Sequence, residues 1–291
     1  MEFNSFFCTF ANSFCIFLEE HDDMEKEAKK LRFLSMGSGS SGNCYYIGTG
    51  EYGFLVDAGV GVRTVKRELK KHHISLEQIW GIFITHDHTD HICSVGVLGE
   101  KYHIPVYATR EIHTGINRNY RVTEKLSSSQ KYYKKGEHIA IRDFTIQSFP
   151  VSHDASDCVG YSFTYEGKTF VIATDLGFIG KEVADHIARA DYLVIEANYD
   201  EMMLKNGRYP YPLKQRVRSY TGHLCNDHTA RFLADNWPPT LTHVFLCHLS
   251  QENNTPELAF NTVNNALAQK GITVEVLQPL DRIAASDLYI F

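Results

Sequence analysis

In Ile82-Phe83-Ile84-Thr85-His86-Asp87-His88-Thr89-Asp90-His91 an apolar strand stops abruptly at three histidines and two aspartates. Imidazole and carboxylate are the nitrogen and oxygen ligands that suit Zn²⁺, Mn²⁺ or Fe. His86 and His88 alternate in an extended segment, so both project to one side. Asp90 and His91 then open a helix, from which they can turn toward a second metal. A merely polar loop is a poor explanation for this density of ligands at a strand end.

Outward from that segment, β-rich runs alternate with helical ones. Before it lie strands at Leu31 to Met36, Cys44 to Ile47 and Phe54 to Val56, and a helix at Val62 to His72. After it, strands are expected at Val106 to Ala108, Phe144 to Phe149, Val159 to Tyr165, Thr169 to Ala173, Tyr192 to Ile195, Val244 to Cys247 and Thr273 to Leu277. Helices are expected around 179–189, 226–236 and 256–269. The hairpin signal Tyr165-Glu166-Gly167-Lys168 argues against a purely parallel sheet. The pattern fits an α/β fold with two sheets, a four-layer αββα sandwich spanning residues 31–291 as one domain. Residues 1–30 carry no usable strand periodicity and read as an extension, disordered or preceding a native start at Met24.

The pattern T-H-x-H-x-D-H resembles the signature of the metallo-β-lactamase superfamily. Further residues at the ends of apolar runs match that family in order: His153 after Phe149-Pro150-Val151-Ser152, Asp175 after Val171-Ile172-Ala173-Thr174, and His248 after Val244-Phe245-Leu246-Cys247. The resemblance implies that His86, His88 and His153 hold one divalent metal, that Asp90, His91 and His248 hold a second, and that Asp175 bridges them. It also implies that Asp57, ending Phe54-Leu55-Val56, is a buried aspartate supporting a histidine ligand; a plain turn aspartate is the alternative. Water held by such a pair has its pKa lowered toward about 7. Asp90 would orient it and accept its proton.

The ligand set does not name a substrate. Gly37-Ser38-Gly39-Ser40-Ser41-Gly42-Asn43-Cys44, Ile195-Glu196-Ala197-Asn198, Thr221-Gly222-His223-Leu224-Cys225-Asn226 and Cys247-His248-Leu249-Ser250-Gln251-Glu252-Asn253-Asn254 resemble the YycJ (WalJ) branch of that superfamily. The resemblance runs from Leu31 onward and implies a DNA exonuclease. Gly222-His223 resembles the Gly-His of RNase J-type nucleases, so His223 is a candidate phosphate ligand or leaving-group acid, or else a structural histidine. Asn226 would cap the following helix, bringing free N–H groups toward a phosphate. The large inserted domain of RNase J-type nucleases has no room between Asp175 and His223. The Ser/Gly run at 37–42 lacks the lysine of a P-loop and reads as a tight turn.

Two basic stretches interleaved with tyrosines are candidate nucleic-acid contacts, with solvated surface loops as the alternative. One holds Lys205, Arg208, Lys214, Arg216 and Arg218; the other holds Arg110, Arg118, Arg121, Lys125, Lys131, Lys134 and Lys135. The net charge of −6 over 291 residues gives no overall attraction to nucleic acid, so binding must be local. Seven scattered cysteines without a C-x-x-C pair, no apolar run long enough for a membrane helix and no secretory n-region point to the cytoplasm. Competing functions are a small-molecule ester, thioester or lactam hydrolase using the same metals, and a metal-binding regulatory protein without turnover. A flavin-linked diiron reductase is disfavoured because no flavodoxin-like domain follows the site.

Overall fold

The computed structural model describes residues 27–291. The expectations for a start at Met24 and for most of the N-terminal extension fall outside them. Residues 27–30 touch the chain that follows, where the Gly50 N–H donates to the Ala28 carbonyl at 2.7 Å.

Two seven-stranded sheets form, the first from residues 32–132 together with the last strand and the second from residues 138–279. The first contains β1 (Arg32–Gly37), β2 (Cys44–Gly48), β3 (Gly53–Val56), β4 (Ile79–Phe83), β5 (Val106–Ala108), β6 (Gln130–Tyr132) and the C-terminal β14 (Tyr289–Ile290), in the order β14-β1-β2-β3-β4-β5-β6. The second contains β7 (His138–Ile141), β8 (Phe144–Pro150), β9 (Val159–Tyr165), β10 (Lys168–Ala173), β11 (Tyr192–Glu196), β12 (His243–Cys247) and β13 (Val276–Pro279), in the order β13-β12-β11-β10-β9-β8-β7. Both are mixed: β3 to β6 and β10 to β13 pair in parallel, the remainder antiparallel. The expected hairpin is present, with Tyr165 opposite Lys168 and Glu166 and Gly167 both in the left-handed region its tight turn requires.

Alternation along each strand divides its residues between two cores. Phe170, Ile172, Val194, Phe245 and Cys247 point between the sheets, while Val171, Ala173, Leu193, Ile195, Val244 and Leu246 join a second cluster under the helices. Between the sheets Phe33 meets Phe170 and Phe245 with ring centroids 4.9 and 4.7 Å apart, and Phe54 meets Phe144 and Phe163. Strands buried on both faces read as unbroken apolar runs. Helices α1 (Val62–Lys71), α2 (Thr89–Ile92), α3 (Arg110–Arg118), α4 (Lys181–Ile187), α5 (Glu201–Asn206), α6 (Tyr211–Arg218), α7 (Asn226–Asp235) and α8 (Pro256–Gln269) connect them. Val183 and Ile187 of α4, Leu233 of α7 and Val263 and Leu267 of α8 cover the second sheet's outer face. The α/β sandwich is the fold expected.

Three local expectations change. The strand placed at Thr273 to Leu277 lies at Val276–Pro279, because parallel pairing to β12 sets His243 opposite Val276 and Leu246 opposite Pro279. The stretch from Tyr199 to Tyr220 is largely helical; Asp200 caps α5 by accepting from the Met203 N–H at 2.7 Å. Helix α3 was not anticipated; the Thr109 hydroxyl caps it, and Ile112 and Ile116 bury one turn apart.

Candidate metal centre

The site residues stand at or just beyond strand carboxyl ends: Asp57 after β3, His86 and His88 after β4, His153 after β8, Asp175 after β10, Glu196 at the end of β11 and His248 after β12. Parallel strands point their carboxyl ends the same way, so side chains distant in sequence converge on one edge. Asp57, Asp175 and His248 each adopt a left-handed backbone, with φ of 61°, 55° and 56°. For a non-glycine residue this costs on the order of 1–3 kcal/mol and persists only where surroundings enforce it. Here the Asp57 N–H donates to the Phe83 carbonyl at 2.9 Å and the His248 N–H to the Ser38 hydroxyl at 3.0 Å. The turn stops each strand and aims its next side chain across the sheet edge. Gly59 fits the same junction, since a Cβ there would overlap the Asp90 carbonyl.

Four overlapping groups have ligand atoms all within 4.8 Å of one another: His86, His88 and His153; Asp90, His91 and His248; His86, His91 and Asp175; and Asp175, Glu196, His223 and His248. Asp175 stands between the first two, with Oδ2 3.4 Å from His91 Nε2 and Oδ1 3.6 Å from His153 Nε2.

Ring protons are placed by the protein. His91 Nδ1–H donates to Asp57 Oδ2 at 2.7 Å, and Asp57 also accepts the Thr85 N–H and hydroxyl at 2.8 Å each. The Thr85 oxygen, having given its proton to Asp57, accepts His86 Nδ1–H at 3.0 Å. His153 Nδ1–H donates to the Gly222 carbonyl at 3.0 Å, His88 Nε2–H to the Asp154 carbonyl at 3.1 Å and His248 Nδ1–H to Glu196 Oε1 at 3.1 Å. Each ring therefore turns its other nitrogen toward the cluster, where release of any proton it carries frees a lone pair for a cation. His86 Nε2 and His248 Nε2 are buried there without a hydrogen-bond partner. An unsatisfied buried acceptor costs about 1–3 kcal/mol, and a cation would satisfy both. At His91 the Asn43 amide lies 2.9 Å from Nε2, so a metal at that nitrogen requires the amide to give way.

The electrostatics favour cations. Burial alone would raise the Asp175 carboxyl, but His248, His91, His86 and His153 hold it well below the usual range. Asp90 is likewise held low against burial by His91 and His248. Burial opposes a charged ring at His91, yet Asp57, Asp175 and Asp90 push it up to about 9. His86 and His153 are lowered, chiefly by burial. Protons drawn to His91 answer the same carboxylate field that would hold a metal.

Glu196 ends an apolar run just as Asp175 and His248 do, but the sequence alone assigns it no role. It is fully buried, and its carboxylate accepts the Leu176 N–H at 2.7 Å, the Leu224 N–H at 3.2 Å, His248 Nδ1–H and His223 Nδ1–H at 2.7 Å. Burial would raise its carboxyl, but His223 and the bond from His248 pull it below the usual range. One carboxylate thus orients a ring of the metal cluster and the ring of His223. His223 lies 5.0 Å from His153 and 5.2 Å from His248 between ring centroids. It faces a cleft of about 230 Å³ lined also by Asp154, Asn198, Tyr209 and Arg216.

Asn226 does not take the place expected of it. Cys225 is the N-cap of α7, and Asn226, its first residue, is fully buried with its amide exchanging two 2.9 Å hydrogen bonds with Asn254. Its side chain has no surface to offer a phosphate. The basic stretch of α5 and α6 is partly spent within the fold: Arg216 grips Asp154 with bonds of 2.6 and 3.1 Å, Arg218 pairs with Glu201, and Lys214 donates to the Lys205 carbonyl. Among the described residues no helix is long and apolar enough to cross a membrane.

Residues 52–243 match the β-lactamase superfamily domain. Over 245 residues the chain is 36% identical to exodeoxyribonuclease YycJ of Bacillus anthracis, covering 84% of this chain and 92% of that protein. Over 247 residues it is 38% identical to exodeoxyribonuclease WalJ of Streptococcus pneumoniae, covering 84% and 91%. In fold it is similar to the metallo-β-lactamase fold protein YhfI of Bacillus subtilis, with a TM-score of 0.64 at 17% identity over 90% of this chain and 100% of that one. It is also similar to Zn²⁺-bound PqqB of Methylobacterium extorquens, with a TM-score of 0.66 at 16% identity over 88% and 99%. With its two mixed sheets and its strand-end cluster, the chain belongs to the metallo-β-lactamase superfamily and, within it, to the family of the YycJ and WalJ proteins.

Proposed function

We propose that this chain is a dinuclear metal-dependent phosphodiesterase acting on DNA as an exonuclease, in the cytoplasm, with residues 31–291 forming one catalytic domain. The curated relatives bear the name exodeoxyribonuclease. The observation that carries the reading is Glu196, which ties a ring of the metal cluster to His223 at the cleft. Pairing of β14 with β1 supports the single domain, because strands more than 250 residues apart share one sheet.

His86, His88 and His153 would hold one divalent ion, Asp90, His91 and His248 the other, and Asp175 would reach both. Zn²⁺, Mn²⁺ and Fe all suit this donor set. Such a pair, when bound, acidifies water and draws charge from phosphate oxygens. Asp90, with a quarter of its side chain accessible, takes a proton from the attacking water. Water oxygen bonds to phosphorus as the bond to the departing ester oxygen breaks. His223 is placed to pass a proton from Nε2 to that oxygen, with its Nδ1–H held by the Glu196 carboxylate 2.7 Å away.

The test is degradation of end-labelled single- and double-stranded DNA by protein loaded with Mn²⁺ or Zn²⁺, with His88→Ala as control. The reading predicts stepwise loss of terminal nucleotides by wild type only. Equal degradation by the variant, or turnover of a chromogenic lactam or thioester with DNA left intact, overturns it.

A further inference from the structure

The two basic, tyrosine-bearing stretches meet opposite fates in the fold. Beside the cleft, Arg216 and Arg218 face Asp154 and Glu201. At the end of α3 and in the loop after it, Arg118, Arg121 and Lys125 are exposed and have no carboxylate partner among the described residues; Glu124, the acid within the loop, pairs with Lys101 at 2.8 Å. In a chain of net charge −6, three uncompensated cations in one short loop are a local exception.

This loop is tied to the metal cluster. Asn119 Nδ2 donates to the Asp87 carbonyl at 3.4 Å and to the Thr89 hydroxyl at 3.2 Å, gripping the His86–His91 segment from outside. Asn119 Oδ1 accepts the Arg121 N–H at 3.0 Å, and Lys125 donates to the Asn119 carbonyl at 2.7 Å, so the cations are arrayed around that anchor. The adjacent Asp87 carboxylate is engaged by the Ser156 N–H and hydroxyl. Tyr120 is 81% exposed, with the Arg121 guanidinium 5.2 Å from its ring centre. Arg121 Nε also donates to the Tyr120 hydroxyl at 3.2 Å, and a large ring left in water beside cations without a carboxylate is the combination that takes a stacked base and its phosphates.

We infer that the loop Arg118–Lys125 is the footing on which a single nucleic-acid strand enters the metal centre, its phosphates on Arg118, Arg121 and Lys125 and a base on Tyr120. The inference rests on the phosphodiesterase reading and names the surface that feeds it.

Fluorescence anisotropy of a labelled single-stranded deoxyoligonucleotide with phosphorothioate linkages, titrated with the metal-loaded full chain across a range of NaCl, tests this. Each lost phosphate contact on a single strand lowers the slope of log K against log salt by roughly 0.7. Arg118→Gln/Arg121→Gln/Lys125→Gln should therefore flatten the slope by about 2, and Arg118→Gln/Arg121→Gln, which keeps the Lys125 anchor, by about 1.4. Tyr120→Ala should weaken binding about 5- to 100-fold with the slope unchanged, and Tyr120→Trp should restore it. Wild-type slope and affinity in the double variant overturn the inference, as does binding of anionic vesicles with none of the oligonucleotide. If the slopes change as stated while unmodified DNA survives with metal, the footing stands and the phosphodiesterase reading falls.

Discussion

At the sheet edge, His86, His153 and His248 are buried with Nδ1 bonded to the protein and His91 with both ring nitrogens engaged, whereas on the rim Arg216, Tyr211 and Tyr220 stand largely in solvent and Arg218 partly so, on short helices and loops. The inner set is rigid because each ring has a fixed acceptor behind it, and the strained backbone at Asp57, Asp175 and His248 keeps the strands from running on. The rim is held by side-chain pairs that water screens and weakens. Preorganisation is thus concentrated at the cluster of titratable side chains, and the rim around it stays adjustable.

The sharpest way to break this contrast is Glu196→Gln, which keeps the shape of a buried residue and removes the negative charge shared by His223 and His248. Turnover should fall roughly 10²- to 10⁴-fold, with metal affinity reduced far less and substrate KM little changed. A variant with near wild-type kcat would mean that the link from cluster to cleft has no part in the reaction. Next in size is Asp57→Asn. Asp57 touches His91 and Thr85 and lies behind the cluster, so metal affinity measured by competition with a chelator should drop about 10- to 100-fold. An unchanged affinity would show that the ring of His91 needs no such support. The smallest effect belongs to the rim: Arg216→Gln breaks a bidentate pair whose arginine side chain is 59% exposed, and thermal unfolding should register under about 1 kcal/mol. A larger loss would move Arg216 from the rim into the rigid set.

How much was legible in the sequence follows the same division. Strands β4, β10 and β12 were visible because burial on both faces leaves unbroken apolar runs, and His86, His88, Asp90 and His91 because they are adjacent. His153, Asp175 and His248 could be sought at strand ends because that is where parallel strands deliver side chains to a common edge. Glu196 stands in the same kind of place, but a glutamate after an apolar run is usually solvated, and only the fold shows it buried beneath two imidazoles. Asn226 misled for a related reason: an asparagine at a helix start ordinarily caps, whereas here its amide is taken by Asn254, 28 residues further on. Helices α5 and α6 are too short to show a period. The pairing of Arg216 with Asp154 joins residues 62 apart, so charge counting along the chain could not tell a spent cation from a free one.

The central claim is that side chains from both sheets cage a pair of divalent ions through a shared Asp175. The direct measurement is the number of Mn²⁺ or Zn²⁺ ions retained per chain by native mass spectrometry, for wild type and for Asp175→Asn. The account predicts two ions in the wild-type chain and fewer in the variant, with the fold intact by circular dichroism. A wild-type chain that retains none, or a variant that keeps the full complement, would contradict it.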